Sequence, residues 1–245
     1  MKKAITSALV LLLCLLAFAA CGAPEAEPEQ VPIAVLAAMR VEAKQLVKRM
    51  DGVRQVKVAG RTYTRGTIGG TEVVLVQTGM GLKKAEAGVR DMIDAFQPSN
   101  LFVYGTSGAL VPELEVHQVM IADSLSLEGV EGGDAIPADE ALVSLAQELL
   151  PHARRVRLVA ESGFSITPKA MARIAAQSGA VAIDLESYAV AKVAKEKGIP
   201  LLVIRCTANT YHYSTLPAWP KNGPIAADKA AEGTEAVIKK LAEMG

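Results

Sequence analysis

The chain has 245 residues, of which 51% are hydrophobic and 4% aromatic, and its 26 Lys and Arg residues balance 26 Asp and Glu. That neutrality argues against a nucleic-acid partner, and the hydrophobic content argues against a disordered chain. His117, His152 and His212 are scattered, so no metal-ligand cluster is visible and no cofactor is expected.

Lys2 and Lys3 precede an apolar run from Ala8 to Ala20. The run falls short of the roughly 20 apolar residues that span a bilayer. Its charged start, apolar middle and small-residue end predict a secretory signal over residues 1–20. Phe18-Ala19-Ala20-Cys21 resembles a bacterial lipobox, which implies lipidation of Cys21 and an exported protein held at a membrane by that anchor alone. The alternative is cleavage near Ala17-Phe18-Ala19 and a soluble secreted or periplasmic protein. Residues 21–32, rich in Pro and Glu, read as a linker, because they cannot bury enough apolar surface to fold. Residues 33–245 then form one domain. With Cys14 removed and Cys21 lipidated, Cys206 is left without a disulfide partner.

Within that domain, the continuous apolar run Ile33–Ala37 predicts a buried parallel strand, and helical spacing follows from Val41 to Met50. Arg61–Ile68 and Glu72–Gln77 flank Gly69-Gly70 and predict a hairpin. Ala85, Val89, Met92, Ile93 and Phe96 share one helical face that ends before Pro98. Leu101–Tyr104, Val156–Ala160 and Leu201–Arg205 predict further strands. Glu140–Leu150, Pro168–Gln177, Glu186–Glu196 and Ala226–Ala242 predict helices. This alternation implies an α/β fold, with a mixed, mainly parallel central sheet covered by helices on both faces.

Ligands of such sheets bind outside the carboxyl ends of the strands. Met39–Glu42, Thr78–Gly81, Gly105–Gly108 and Arg205–Asn209 stand at such ends, although each glycine cluster on its own also suits a simple turn. Asp184 and Glu186 place two carboxylates in an apolar stretch at a strand-to-helix junction. Stabilisation of a helix N-terminus accounts for Asp184 better than for Glu186.

Together, Ala38-Met39-Arg40-Val41-Glu42, Thr78-Gly79-Met80-Gly81, Gly105-Thr106-Ser107-Gly108-Ala109-Leu110 and Ile183-Asp184-Leu185-Glu186-Ser187 are similar in order and spacing to one family. They resemble the bacterial methylthioadenosine/S-adenosylhomocysteine nucleosidases, within the purine nucleoside phosphorylase superfamily. The resemblance runs from about Ile33 to Leu241.

It implies a nucleoside phosphorylase-like fold and hydrolysis of the N-glycosidic bond of a purine nucleoside. In that family Glu42 would orient or activate the attacking water, and Glu186 would hold the ribose hydroxyls beside a developing ribosyl cation. Leu185 would lie under the sugar, while Thr106 and the backbone around Gly79 would form the water or phosphate site. Phe164 and Ile166 would hold the purine. Met39, Ser107 and Arg205 complete the expected substrate-binding set. A homodimer is implied by the same resemblance, and the segment from Thr210 to Gly223 is expected over the pocket mouth.

Phosphorolysis would require cations for phosphate, yet Val103 stands where hexameric phosphorylases carry arginine, so water is favoured. Asn209 stands where the family's aspartate protonates purine N7, and an amide cannot deliver that proton. Asn209 leaves open a 6-oxopurine nucleosidase, a slower adenosine-type nucleosidase, and a non-catalytic nucleoside-binding lipoprotein. A purine nucleoside phosphorylase is a further alternative.

Overall fold

The computed structural model describes residues 31–130, 135–163, 167–210 and 215–244. The expected signal, nearly all of the linker with Cys21, and Phe164, Ile166 and Tyr211–Tyr213 lie outside the described residues. Val31 to Gly245 forms one compact unit.

The first strand, β1 (Ile33–Ala37), is buried along its whole length and leads into helix α1 (Arg40–Val47). Three antiparallel strands follow: β2 (Asp51–Val58), β3 (Arg61–Ile68) and β4 (Thr71–Gln77). Helix α2 (Leu82–Phe96) buries Ala85, Val89, Met92 and Ile93, the face read from the sequence. Next come β5 (Asn100–Ala109), β6 (Val119–Leu127), the two-residue β7 (Ile136–Pro137) and helix α3 (Glu140–Leu149). Strand β8 (Arg154–Ala160), helix α4 (Pro168–Ser178), β9 (Ala182–Asp184), helix α5 (Ser187–Lys197), β10 (Leu201–Thr207) and helix α6 (Thr215–Met244) complete the order.

The mixed α/β sheet agrees with the expected fold class. Parallel pairings join β4 to β1, β1 to β5 and β5 to β10. Strand β10 then pairs antiparallel with β6, β6 parallel with β8, and β8 parallel with β9. Because β9 returns antiparallel to β5, strands β5, β10, β6, β8 and β9 close into a ring, from which β1, β4, β3 and β2 extend as an open wing.

Two differences from the sequence reading have clear physical origins. Gly105–Gly108, read as a turn after a strand, lies inside β5. Arg205, Cys206 and Thr207 continue the pairing opposite Gly105, Thr106 and Ser107, and β9 takes over at Gly108. The two glycines, of low strand propensity, are held in the strand there by neighbours on both sides. Strand β2 was also not anticipated, since its residues are mostly exposed and carry no buried stripe. The last helix begins at Thr215, before Pro220 and Pro224, earlier than its apolar pattern indicated.

Candidate active site

The functional side chains gather around one cavity of about 340 Å³ at the ends of β1, β5, β8, β9 and β10. Its walls are mainly apolar, with Met39, Met80, Met171, Ile183, Leu185 and Trp219 among the lining side chains. The polar lining comprises Thr106, Ser107, Asn209 and four carboxylates, those of Glu42, Glu161, Asp184 and Glu186.

Glu42 is 1% exposed, and both of its oxygens are occupied. Oε2 accepts the backbone N–H groups of Ala38 at 3.1 Å and Met39 at 2.9 Å. Oε1 accepts the Thr106 N–H at 2.8 Å and the Thr106 hydroxyl at 3.0 Å. Since Glu42 is the third residue of α1, it reaches back over the helix start and staples the β1–α1 turn to β5. Gly105 makes this approach possible at φ 146: a β-carbon there would run into Glu42 Oε1 and lie 2.8 Å from Arg205 Nη1.

Asp184 and Glu186 have different environments. Asp184 Oδ1 accepts the N–H groups of Glu186 and Ser187, both at 3.1 Å, and Oδ2 accepts the Ser187 hydroxyl. These bonds satisfy donors at the start of α5, as the helix-terminus reading of Asp184 anticipated. Glu186 occupies the N-cap position itself, and its Oε1 accepts the Gly81 N–H from the head of α2 at 2.9 Å. Burial, reinforced by the neighbouring Asp184 charge, pushes the Glu186 carboxyl up to about 7, against the opposing pull of Arg205 and Gly81.

Arg205 ties these groups together from beneath the cavity. It is 2% exposed, and its Nη2 lies 2.6 Å from Asp184 Oδ2, 3.0 Å from Ser187 Oγ and 3.5 Å from Glu186 Oε2. The sequence reading made Arg205 a substrate-binding residue. The structure instead places it behind the cavity lining, where its charge is shared by two carboxylates. Gly79, given the same expectation, is likewise not among the lining residues, because its N–H donates to the Ala38 carbonyl at 3.0 Å. The backbone donor that reaches the site from this loop is Gly81.

Asn209 is 2% exposed and follows β10, with Oδ1 3.4 Å from where a β-carbon on Gly108 would stand. Neither Asn209 Oδ1 nor the buried Ser107 hydroxyl has a hydrogen-bond partner. Buried polar atoms without partners are costly, so both are suited to contacts from a ligand.

The structure thus brings Met39, Glu42, Thr106, Ser107, Leu185, Glu186 and Asn209 to one cavity, while Phe164 and Ile166 lie outside the described residues. Sequence reasoning missed Glu161, Met171 and Met80 as lining residues. The available signal for Glu161 was its position directly after the apolar run ending at Ala160. Trp219 lines the cavity, as expected for the segment over its mouth.

A family model described as the phosphorylase superfamily matches residues 32–239. The chain belongs to this superfamily. Within it, the 5′-methylthioadenosine/S-adenosylhomocysteine nucleosidase of Geobacillus kaustophilus is 28% identical over 197 residues, 72% of this chain and 83% of the relative. The enzyme of the same name from Lysinibacillus sphaericus is 26% identical over 231 residues, 86% of this chain and 99% of the relative. The superfamily fold is matched by the solved Streptococcus pneumoniae nucleosidase bound to a transition-state inhibitor, with a TM-score of 0.80 and 26% identity over 86% of this chain and 99% of that one. The native futalosine hydrolase of Helicobacter pylori has the same fold, with a TM-score of 0.80 at 19% identity over 86% of this chain and 99% of that one.

Proposed function

We infer that this protein hydrolyses the N-glycosidic bond of a purine nucleoside, as its methylthioadenosine/S-adenosylhomocysteine nucleosidase relatives are named for doing. The observation that carries the reading is the charge around the cavity. Its described lining includes four carboxylates and no Lys or Arg, and nearby Arg205 is already matched by Asp184 and Glu186. Such a cavity suits a neutral nucleoside and a transition state that gains positive charge on the sugar. It is a poor place for a phosphate anion, which favours water as the nucleophile.

In this reading ionised Glu186 accepts from the ribose hydroxyls and stabilises the ribosyl cation, while Leu185 packs under the sugar. Glu42 and Thr106 orient the water. With four donors already on Glu42, the Thr106 hydroxyl must rotate its proton away before Oε1 can accept from water. Asn209 donates an amide N–H to the departing base and stabilises it without transferring a proton.

Purified protein lacking residues 1–21 should release base from methylthioadenosine, adenosine or inosine at a rate unchanged by added phosphate. A strict phosphate requirement would make it a phosphorylase. Nucleoside binding without base release would instead make it a binding protein, the second reading that Asn209 and the saturated Glu42 favour.

The lipid anchor at Cys21 and the homodimer belong to the same proposal. Support comes from the lipobox-like residues 18–21 for the anchor and, for the dimer, from Met80, which lines the cavity yet is 47% exposed. Loss of detergent-phase partitioning in Cys21→Ser would support the anchor, and monomeric sedimentation would refute the dimer.

A further inference from the structure

The cavity and Val31 stand at opposite ends of β1. The strand runs from Ile33 to Ala37, and Ala38 and Met39, immediately beyond it, line the cavity. Val31 lies two residues before its start, where the Pro32 carbonyl accepts the Ser99 N–H at 3.1 Å. That end is the amino edge of the parallel strands, since Ile33 pairs with Asn100 at the head of β5 and with Val73 near the head of β4. The Gly69-Gly70 turn before β4 belongs to the same edge. The last turns of α6 reach it, because a β-carbon on Gly69 would stand 3.6 Å from the β-carbon of Ala242.

Helix α6 joins the two ends. Trp219, near its start, lines the cavity, and Met244 closes the helix 25 residues later, roughly 37 Å away at a rise of 1.5 Å per residue. Among the described residues five large apolar side chains are exposed, and three of them, Val31, Val53 and Met244, stand at the amino edge. Val53 is placed there by the pairing of Asp51 with Thr67, just before the Gly69-Gly70 turn. A single exposed apolar residue is ordinary, but a group at one edge suits the boundary between lipid headgroups and acyl chains.

We propose that this amino edge is the membrane-facing surface of the protein, so that the cavity opens away from the bilayer and takes its ligand from the surrounding water. The inference rests on the lipid anchor at Cys21 and is independent of the hydrolytic reading. Val31 follows Cys21 by ten residues, whose contour is at most about 36 Å. With the cavity end against the bilayer, Val31 would be held off by roughly the 37 Å that α6 spans. The tether would then have to be pulled straight, and every residue in it would lose its conformational freedom. With the amino edge against the bilayer a slack tether suffices, and Val31, Val53 and Met244 meet the lipid.

The test uses the fact that the chain has one tryptophan, Trp219. Full-length protein carrying its lipid is reconstituted on phosphatidylcholine vesicles with and without bromine on the acyl chains, a short-range quencher of indole emission. Sedimentation with the vesicles, compared with Cys21→Ser, reads the anchor, and the emission in the two kinds of vesicle reads the orientation. Trp219 emission should be the same in both. In Trp219→Phe combined with Val31→Trp, and in Trp219→Phe combined with Met244→Trp, the brominated lipid should lower the emission.

Quenching of Trp219 in the wild type overturns the proposal and needs no variant to fold. So does equal emission from both introduced indoles in vesicle-bound protein. Wild type that stays in the supernatant, as Cys21→Ser should, removes the anchor and this proposal with it, whereas bound protein with Trp219 quenched removes the orientation alone.

Discussion

The two ends of the cavity differ in how their polar groups are used. On one side Glu42, Asp184 and Arg205 are engaged by the protein, and their bonds hold the β1–α1 turn, the middle of β5 and the head of α5 in register. On the other, Asn209 Oδ1 and Ser107 Oγ are buried without partners. The difference teaches that burial of a polar side chain has two meanings. Saturated groups fix backbone geometry before a ligand arrives, whereas unsatisfied ones obtain their hydrogen bonds from the ligand.

The largest effect should come from breaking the saturated end. Arg205→Met would leave Asp184 and Glu186 buried without their cation, at a cost of about 3–5 kcal/mol in stability measured by chemical denaturation. A loss below about 1 kcal/mol would mean that those carboxylates are not dependent on Arg205.

Next is Glu186→Gln, which removes the anion that the proposed hydrolysis places at the sugar but keeps its shape. Turnover should fall on the order of 100-fold with a modest change in KM. Unchanged turnover would remove Glu186 from the chemistry.

The boundary between the two ends was only partly legible in the sequence. The carboxylates at 42 and 186 stand in motifs that announce strand ends, and the alternation of β1, α2 and β8 predicts the fold around them. Arg205 announces itself equally well as a site residue, because nothing local tells that its guanidinium is absorbed by Asp184 and Ser187, 21 and 18 residues earlier. Gly79 misleads for a similar reason, since its N–H is spent on a carbonyl of β1's extension. Glu161 escaped notice because a single acidic residue after a strand is ordinary; its membership in the cavity depends on pairings of β8 with β9 and β9 with β5 that have no local signature.

The pH dependence should separate folding from catalysis at one carboxyl group. Glu186 is pushed up to about 7 from an ordinary value of 4.5, so the folded state binds its proton more tightly than the unfolded state. Its contribution to stability is full below the unfolded value and is lost as pH rises through about 7. Catalysis needs the ionised form, so kcat/KM should rise over that same interval, and Glu186→Gln should flatten this limb. A limb that persists in the variant would assign the titration to another group.

The smallest expected effect sharpens the comparison from the side of Asn209. Asn209→Asp supplies a carboxyl that can carry a proton to N7, and adenosine cleavage should gain roughly tenfold relative to inosine, measured as the ratio of kcat/KM values. A ratio that does not move would mean that residue 209 does not face the base.

The closed ring of β5, β10, β6, β8 and β9 also has a consequence for the order of folding. Strand β10 is the last in the sequence, yet it sits between β5 and β6 and delivers both Arg205 and Asn209. During synthesis every other strand emerges before the one that closes the ring. Until it inserts, Asp184 and Glu186 lack their buried cation and the cavity lacks the Asn209 amide. The competent pocket is therefore a late product of folding, governed by contacts between distant parts of the chain. A nascent chain halted before β10 would have most of the sheet and no working site.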